Sequence, residues 1–161
     1  MESECKKVWE IAEGPSICLD DTTAKTEPLV AAVSSSRGMK IWVGKPFDDA
    51  LAAAKKAIVD VGLDIVTEVD VRRLLHDRLG VPYPHYAILG IAKPAWIHAA
   101  LDLERDLGTL IPFNLVVYEQ NTGSVICAAN PIESVEGVDI RSIADEAKKA
   151  LSEIIERVSA A

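Results

Sequence analysis

The stretch that decides the fold is HYAILGIAKPAWIHAALDLERDLGTLIPFNLVVY, which runs from His85 to Tyr118. Its first apolar run, Tyr86–Ile91, is almost entirely hydrophobic, as is typical of a strand that is buried on both faces. Pro94 then suits the first turn of a helix, and a second apolar strand begins at Phe113. A strand, a helix and a second strand in this order predict the centre of a domain that combines helices with a sheet.

Two strands joined in this way can lie in one sheet, and we expect the segments at their ends, 92–94 and 112–114, to border a shared hollow. Lys93 and Asn114 lie at the predicted rim of this hollow. Lys93 precedes the free backbone amides of a helix, where an anion can bind, although a solvated lysine is the simpler interpretation. The Asn114 amide can either contact a ligand or hold the loop by bonding to the backbone. The pair is therefore a candidate ligand-binding site.

Outward from this stretch, apolar residues recur at strand spacing and at helix spacing in turn. Strands are predicted at 39–43, 63–69, 86–91, 113–120 and 124–129, and helices at 46–61, 71–79, 94–105 and 140–158. The order β-α-β-α-β-α-β-β-α predicts an α+β or α/β two-layer sandwich in which helices cover a mixed β-sheet.

The 161 residues predict one domain at 39–161, preceded by an N-terminal extension at 1–38. Turn-forming residues such as Gly14–Pro15 interrupt this extension, which we interpret as partly irregular. An arm that binds a partner is the alternative interpretation of the same residues.

The net charge of −8 argues against nucleic acid and anionic membranes as partners, because the basic residues are scattered rather than clustered. No apolar run is long enough to predict a membrane-spanning helix, and Met1–Lys7 leads into no apolar signal segment.

Three cysteines, without zinc-type spacing, favour a reducing cytoplasm. The few side-chain amides indicate a thermophilic source; they are Asn114, Gln120, Asn121 and Asn130.

Other polar residues could support acid–base chemistry. Glu68 and Asp70 lie two apart at a strand end and can share one face, but Asp70 is also a good helix N-cap. His85 and His98 could contact a ligand, although ordinary surface histidines are the simpler interpretation. The histidine spacing predicts no metal site, and the absence of phosphate-loop or dinucleotide motifs predicts no cofactor.

Several segments resemble the domain-of-unknown-function 302 family. They are Tyr86–Pro94, Leu110–Glu119, Glu68–Asp70 after the Gly62 helix stop, and Val125–Pro131. The resemblance covers about 39–131 and, more loosely, the last helix. It implies a small, often homodimeric α/β domain without an established activity.

The chain departs from this family where members commonly carry cysteines before the motif proline and before the second strand. Those positions hold Ala92 and Phe113, and Lys93 stands where asparagine is common. The resemblance therefore implies no thiol, metal or redox role through these two positions.

Two classes of function follow from the sequence. The first is a homodimeric module that binds a small ligand or a partner protein. The alternative is a small enzyme that uses acid–base residues around the Lys93 and Asn114 pocket. The enzyme reading requires Glu68, Asp70, Lys93 and His98 to converge on one cleft.

Overall fold

The computed structural model describes residues 33–35, 38–132, 134–135 and 138–161. Most of the predicted extension at 1–38 therefore lies outside the described residues, including the turn predicted at 14–15. Val33–Ser35 lies within that predicted extension and forms β1, which pairs with the next strand of the sheet.

Six strands form the main sheet, in the spatial order β1-β2-β6-β5-β4-β3. After β1 these are β2 (Gly38–Val43), β3 (Asp64–Asp70), β4 (Tyr86–Ala92), β5 (Phe113–Gln120) and β6 (Gly123–Ala129). The helices are α1 (Phe47–Asp60), α2 (Val71–Leu79), α3 (Pro94–Leu103) and α4 (Arg141–Ala160). A 3₁₀ turn at Arg105–Thr109 follows α3, and a small hairpin of β7 (Ser134–Val135) and β8 (Val138–Asp139), which the sequence did not predict, precedes α4.

The two-layer architecture is confirmed, but the strand directions differ from the expected mixed sheet. Every pairing in the main sheet is antiparallel. The helices α2 and α3 each connect strands that are antiparallel neighbours, β3 to β4 and β4 to β5. The crossover through α1 joins β2 and β3, which have β6, β5 and β4 between them. Two strands form a parallel pair only if the connection between them places the second strand beside the first. Here the connection through α1 leads to β3 at the far edge of the sheet, so β2 and β3 do not pair.

The core lies between one face of the sheet and three helices. Leu89, Leu115 and Ile126 are fully buried on that face, opposite Ile58 of α1 and Ile154 of α4. α3 adds its buried residues Trp96 and Ala100 to the same cluster. The sheet therefore has helices on one side, which matches the predicted sandwich.

The expectation that α2 would bury an apolar stripe is wrong. The stripe consists of Val71, Leu74, Leu75 and Leu79, but α2 has no buried residue, and Leu74 and Leu79 are 48% and 61% exposed. α2 follows β3, which is the edge strand, so the sheet offers it a neighbour on one side alone. α3 shows a smaller difference, since Leu101 and Leu103 of its predicted inner face are exposed.

The local stop and start signals act as the sequence predicts. The carboxylate of Asp70 accepts a hydrogen bond from the Arg73 amide at 3.0 Å and caps α2. Gly80 ends this helix in the left-handed conformation, with φ of 65°. Asn121 has φ of 55° in the turn between β5 and β6, where a short polar residue tolerates that conformation.

Candidate functional site

The two central strands are neighbours, as predicted. Ile91 pairs with Phe113 and Gly90 with Asn114 in the antiparallel ladder of β4 and β5. Gly90 permits a close approach at this end of the sheet, because a Cβ atom there would lie 2.3 Å from Oγ1 of Thr67 and 2.9 Å from Cγ of Pro112. Gly90 is therefore packed tightly by a strand and a loop, and not by a helix.

The structure has the predicted hollow beside 112–114, but 92–94 do not border it. A cavity of about 220 Å³ lies beside Pro112, Phe113 and Asn114, but Lys93 does not line it. The ammonium of Lys93 instead lies 5.0 Å from the ring centroid of Trp96 and 3.8 Å from Oε2 of Glu146. The Trp96 indole N–H donates to the same carboxylate at 2.9 Å, so Lys93 helps to join α3 to α4 and is drawn away from the hollow.

The proposed acid–base residues do not meet in one cleft. Oε1 of Glu68 pairs with Nζ of Lys55 at 2.7 Å, and Asp70 caps α2. His98 pairs with Asp102 one turn along α3, at 3.1 Å between Nδ1 and Oδ2. Each of these groups has its own local partner, so the geometry required for the enzyme reading is missing.

Asp70 and His85 do line one cleft, which has a volume of about 450 Å³. It lies where β3 leads into α2 and where the connector 80–85 leads into β4. The ring of His85 stacks on Phe47, with centroids 4.9 Å apart. Both residues belong to the six candidates taken from the sequence.

The second face of the sheet carries a surface that we call the open face. Ala87 and Leu89 of β4, and Leu115 and Val117 of β5, point into the core. Side chains alternate along a strand, so the residues between them point away from α1, α3 and α4. The open face therefore contains Lys40, Trp42, Val69, Tyr86, Ile88, Val116, Tyr118, Val125 and Cys127.

The aromatic residues of the open face contact one another across the strands. Tyr86 and Tyr118 are directly paired, and their rings stack with centroids 5.4 Å apart. Burial is the main reason that the pKa of Tyr86 lies above its usual value, and the neighbouring Cys127 adds to the shift. Trp42 covers Gly123, where a Cβ atom would lie 2.6 Å from its ring. These contacts hold the aromatic side chains in place before any partner binds.

Cys127 lies near the middle of the open face, between Lys40 on β2 and Val116 on β5. It is half-buried and unpaired, and it is the free cysteine of the described residues. Burial raises the pKa of its thiol, while the positive charge of Lys40 opposes part of that rise. The thiol is therefore held in its neutral form at pH 7, as expected for a small apolar residue.

The sequence predicted burial of Tyr86–Ile91 on both faces and favoured a core or interface position for Trp42 and Tyr118. It did not indicate that these residues share one face of the sheet. The available signal was the alternation of large aromatic side chains with small or aliphatic ones. Tyr86, Trp42 and Tyr118 each stand next to a residue that enters the core; these are Ala87, Ile41 and Val117. An aromatic residue with a polar tip favours a surface that is apolar but reachable by water.

Over the described ranges there is no cluster of three or more His, Cys, Asp or Glu that could hold a metal ion. The same ranges contain no helix that is long and apolar enough to cross a membrane.

An antiparallel sheet with helices on one face and strand order β1-β2-β6-β5-β4-β3 defines a small two-layer α+β sandwich. Residues 39–158 match the family described as Domain of unknown function DUF302. The chain belongs to this family, as the motifs around Pro94 and Pro112 indicated.

One solved relative has the same fold. It is the crystal structure of an uncharacterised conserved DUF302 protein from Bacillus stearothermophilus, with a TM-score of 0.66 and 18% sequence identity. The superposition covers 76% of this chain and 98% of that chain. At this identity the likeness establishes the fold alone. No curated protein matches the chain.

Proposed function

We propose that this protein is a homodimeric interaction module in which the open face of the sheet binds a second copy of the chain. The observation that carries the proposal is the composition of that face. Ile88, Val116 and Tyr118 are adjacent across β4 and β5, and each keeps partial exposure although it is apolar or aromatic. A contiguous apolar surface of this kind is typical of an interface.

The size of the open face fits a second copy. Its strands β2 to β6 have six to eight residues each, which gives a projected area on the order of 500 Å² from standard strand spacing and rise. The accessible area of side chains exceeds their projection. The face therefore approaches the roughly 800 Å² that each partner buries in a stable complex of standard size.

The charge distribution also fits self-association. The chain carries a net charge of −8, so two copies repel one another at most orientations. The centre of the open face has no carboxylate; its charged residue is Lys40, whose ammonium lies 5.6 Å from the ring centroid of Tyr118. Two copies that meet through this face keep their acidic residues apart.

Sedimentation velocity tests the proposal directly. We expect the wild-type chain to be a dimer at micromolar concentration and Val116→Lys to be a monomer, because a buried lysine without a partner is costly at an interface. Val59→Lys is the matched control, since Val59 is 65% exposed on α1, away from the open face. A monomeric wild type, or a Val116→Lys variant that still forms dimers, contradicts the proposal.

The enzyme alternative is not supported, because each of its four candidate residues binds a separate local partner; these residues are Glu68, Asp70, Lys93 and His98. The cytoplasmic location and the thermophilic source stay predictions from composition. Binding of a small ligand is supported by a different surface, the cleft that Asp70 and His85 line.

A further inference from the structure

The cleft beside α2 combines a cation, a histidine and an apolar wall. Its volume is about 450 Å³, and its lining includes Asp70, Arg72, Pro82, Tyr83 and His85. The cleft lies where β3 ends and β4 begins. The residues that line it are not those of the open face, which we assign to the dimer. Ligand binding in this cleft is a separate property from self-association and does not depend on it.

Arg72 and Arg73 both line the cleft, and the guanidinium of Arg72 has a histidine ring nitrogen as its partner. Nη1 of Arg72 contacts Nε2 of His85. A guanidinium has donors only, so this ring nitrogen is the acceptor of the contact. Among the residues that the structure describes, Arg72 forms no ion pair with a carboxylate, whereas the neighbouring Arg73 pairs with Asp77 at 3.5 Å.

The carboxylate of the cleft is already engaged elsewhere. Oδ1 of Asp70 accepts from the Arg73 amide at 3.0 Å, as the cap of α2. One oxygen of Asp70 therefore serves the helix, and within the described ranges the donors of Arg72 meet no carboxylate. Arginine presents a planar fork that fits the two oxygens of a carboxylate or phosphate.

His85 is held rigidly beside this cation. Its ring stacks on Phe47 at 4.9 Å, its backbone N–H donates to Oε2 of Glu119 at 3.3 Å, and its carbonyl accepts from the Glu119 amide at 2.9 Å. The opposite wall is apolar: Tyr83 is 44% exposed and packs edge-on against Tyr86, with centroids 6.3 Å apart. A ligand can thus place a charged end on Arg72 and a flat body on Tyr83.

We propose that this cleft binds a small organic oxyanion, with the anionic group on Arg72 and an apolar or aromatic body against Pro82 and Tyr83. His85 holds the guanidinium in position through its ring nitrogen. The chemistry shared by the candidate ligands is a carboxylate or phosphate attached to a small apolar group.

Titration of the full chain with benzoate and with phenyl phosphate, followed by NMR chemical shifts, tests this proposal. We expect millimolar binding, with shifts at Arg72, Tyr83 and His85. Binding of benzoate alone identifies a carboxylate ligand, binding of phenyl phosphate alone identifies a phosphate ester, and binding of both identifies the oxyanion itself. Neutral benzamide is the control and is expected to bind at least about tenfold more weakly, because it lacks the charge that strengthens the hydrogen bonds.

Two variants separate a specific site from general attraction. Arg72→Gln is expected to weaken benzoate or phenyl phosphate about tenfold or more. Arg78→Gln removes the same charge from the same helix but lies outside the cleft lining, and is expected to leave the affinity unchanged. The proposal is overturned if neither probe shifts these residues, if benzamide binds equally well, or if both variants weaken binding to the same extent. Repeating the titration on Val116→Lys keeps this result separate from the oligomeric state.

Discussion

Gly90 shows how one residue positions the centre of the sheet. It lies where β3, β4 and the loop before β5 meet, and both Thr67 and Pro112 occupy the space that a side chain would need. Its role was visible from the sequence only as a glycine inside an apolar run. Thr67 and Pro112, which require a glycine here, are distant in sequence, so no local pattern could identify them.

We expect Gly90→Ala to lower the free energy of unfolding by roughly 1–3 kcal/mol, because the added methyl overpacks a filled site. Equilibrium denaturation with urea measures the change. Thr67→Ala combined with Gly90→Ala removes the nearest atom, Oγ1 at 2.3 Å, and should recover part of the loss. A Gly90→Ala variant as stable as the wild type would mean that the strands are not packed at this distance.

Cys127 gives a prediction that depends on pH. Because burial raises the pKa of its thiol, alkylation in a Cys5→Ser, Cys18→Ser chain should have its midpoint above that of the same chain in denaturant. The unfolded chain ionises first, so Cys127 contributes stability that is lost as pH rises from the unfolded pKa through the folded one. Lys40→Ala should move the midpoint further upward, and a folded midpoint at or below the unfolded one would contradict the assignment.

At the level of elements, α2 and α4 are opposite cases. α4 contributes eight buried residues to the protein, from Ile143 to Val158, whereas α2 contributes none. Both helices show an apolar stripe in the sequence, and periodicity alone cannot say which stripe meets a sheet. That depends on strand order, because α2 follows an edge strand and α4 lies against β2 and β6.

We therefore expect amides of α2 to exchange with deuterium faster than those of α4, since few buried contacts oppose local opening. Asp70→Ala should increase exchange in α2 alone, by a factor that corresponds to about 1 kcal/mol for a lost N-cap. Asp70→Ser keeps a capping oxygen and should restore most of the protection. Equal exchange in both helices, or an effect of Asp70→Ala that spreads to α4, would contradict this description.

For the whole molecule, the sequence predicted β2 to β6, the four helices and the two layers, because apolar spacing and helix caps are local signals. It did not predict the hairpin of β7 and β8. The adjacency of Tyr86–Ile91 and Phe113–Gln120 was also predicted, and the pairing of Ile91 with Phe113 confirms it. The site was predicted less well. Lys93 is drawn toward Glu146 of α4, which lies far along the chain, and the open face appears only when the strands are placed side by side.

Cys127 lies on the open face and is therefore a natural probe of its contact with a second copy. In the Cys5→Ser, Cys18→Ser chain, the rate at which a thiol reagent labels Cys127 can be followed by mass spectrometry at rising protein concentration. We expect labelling to slow as dimers form, and Val116→Lys to remove this dependence. Labelling that stays constant while sedimentation reports a dimer would contradict the claim, because the two copies would then meet through another surface.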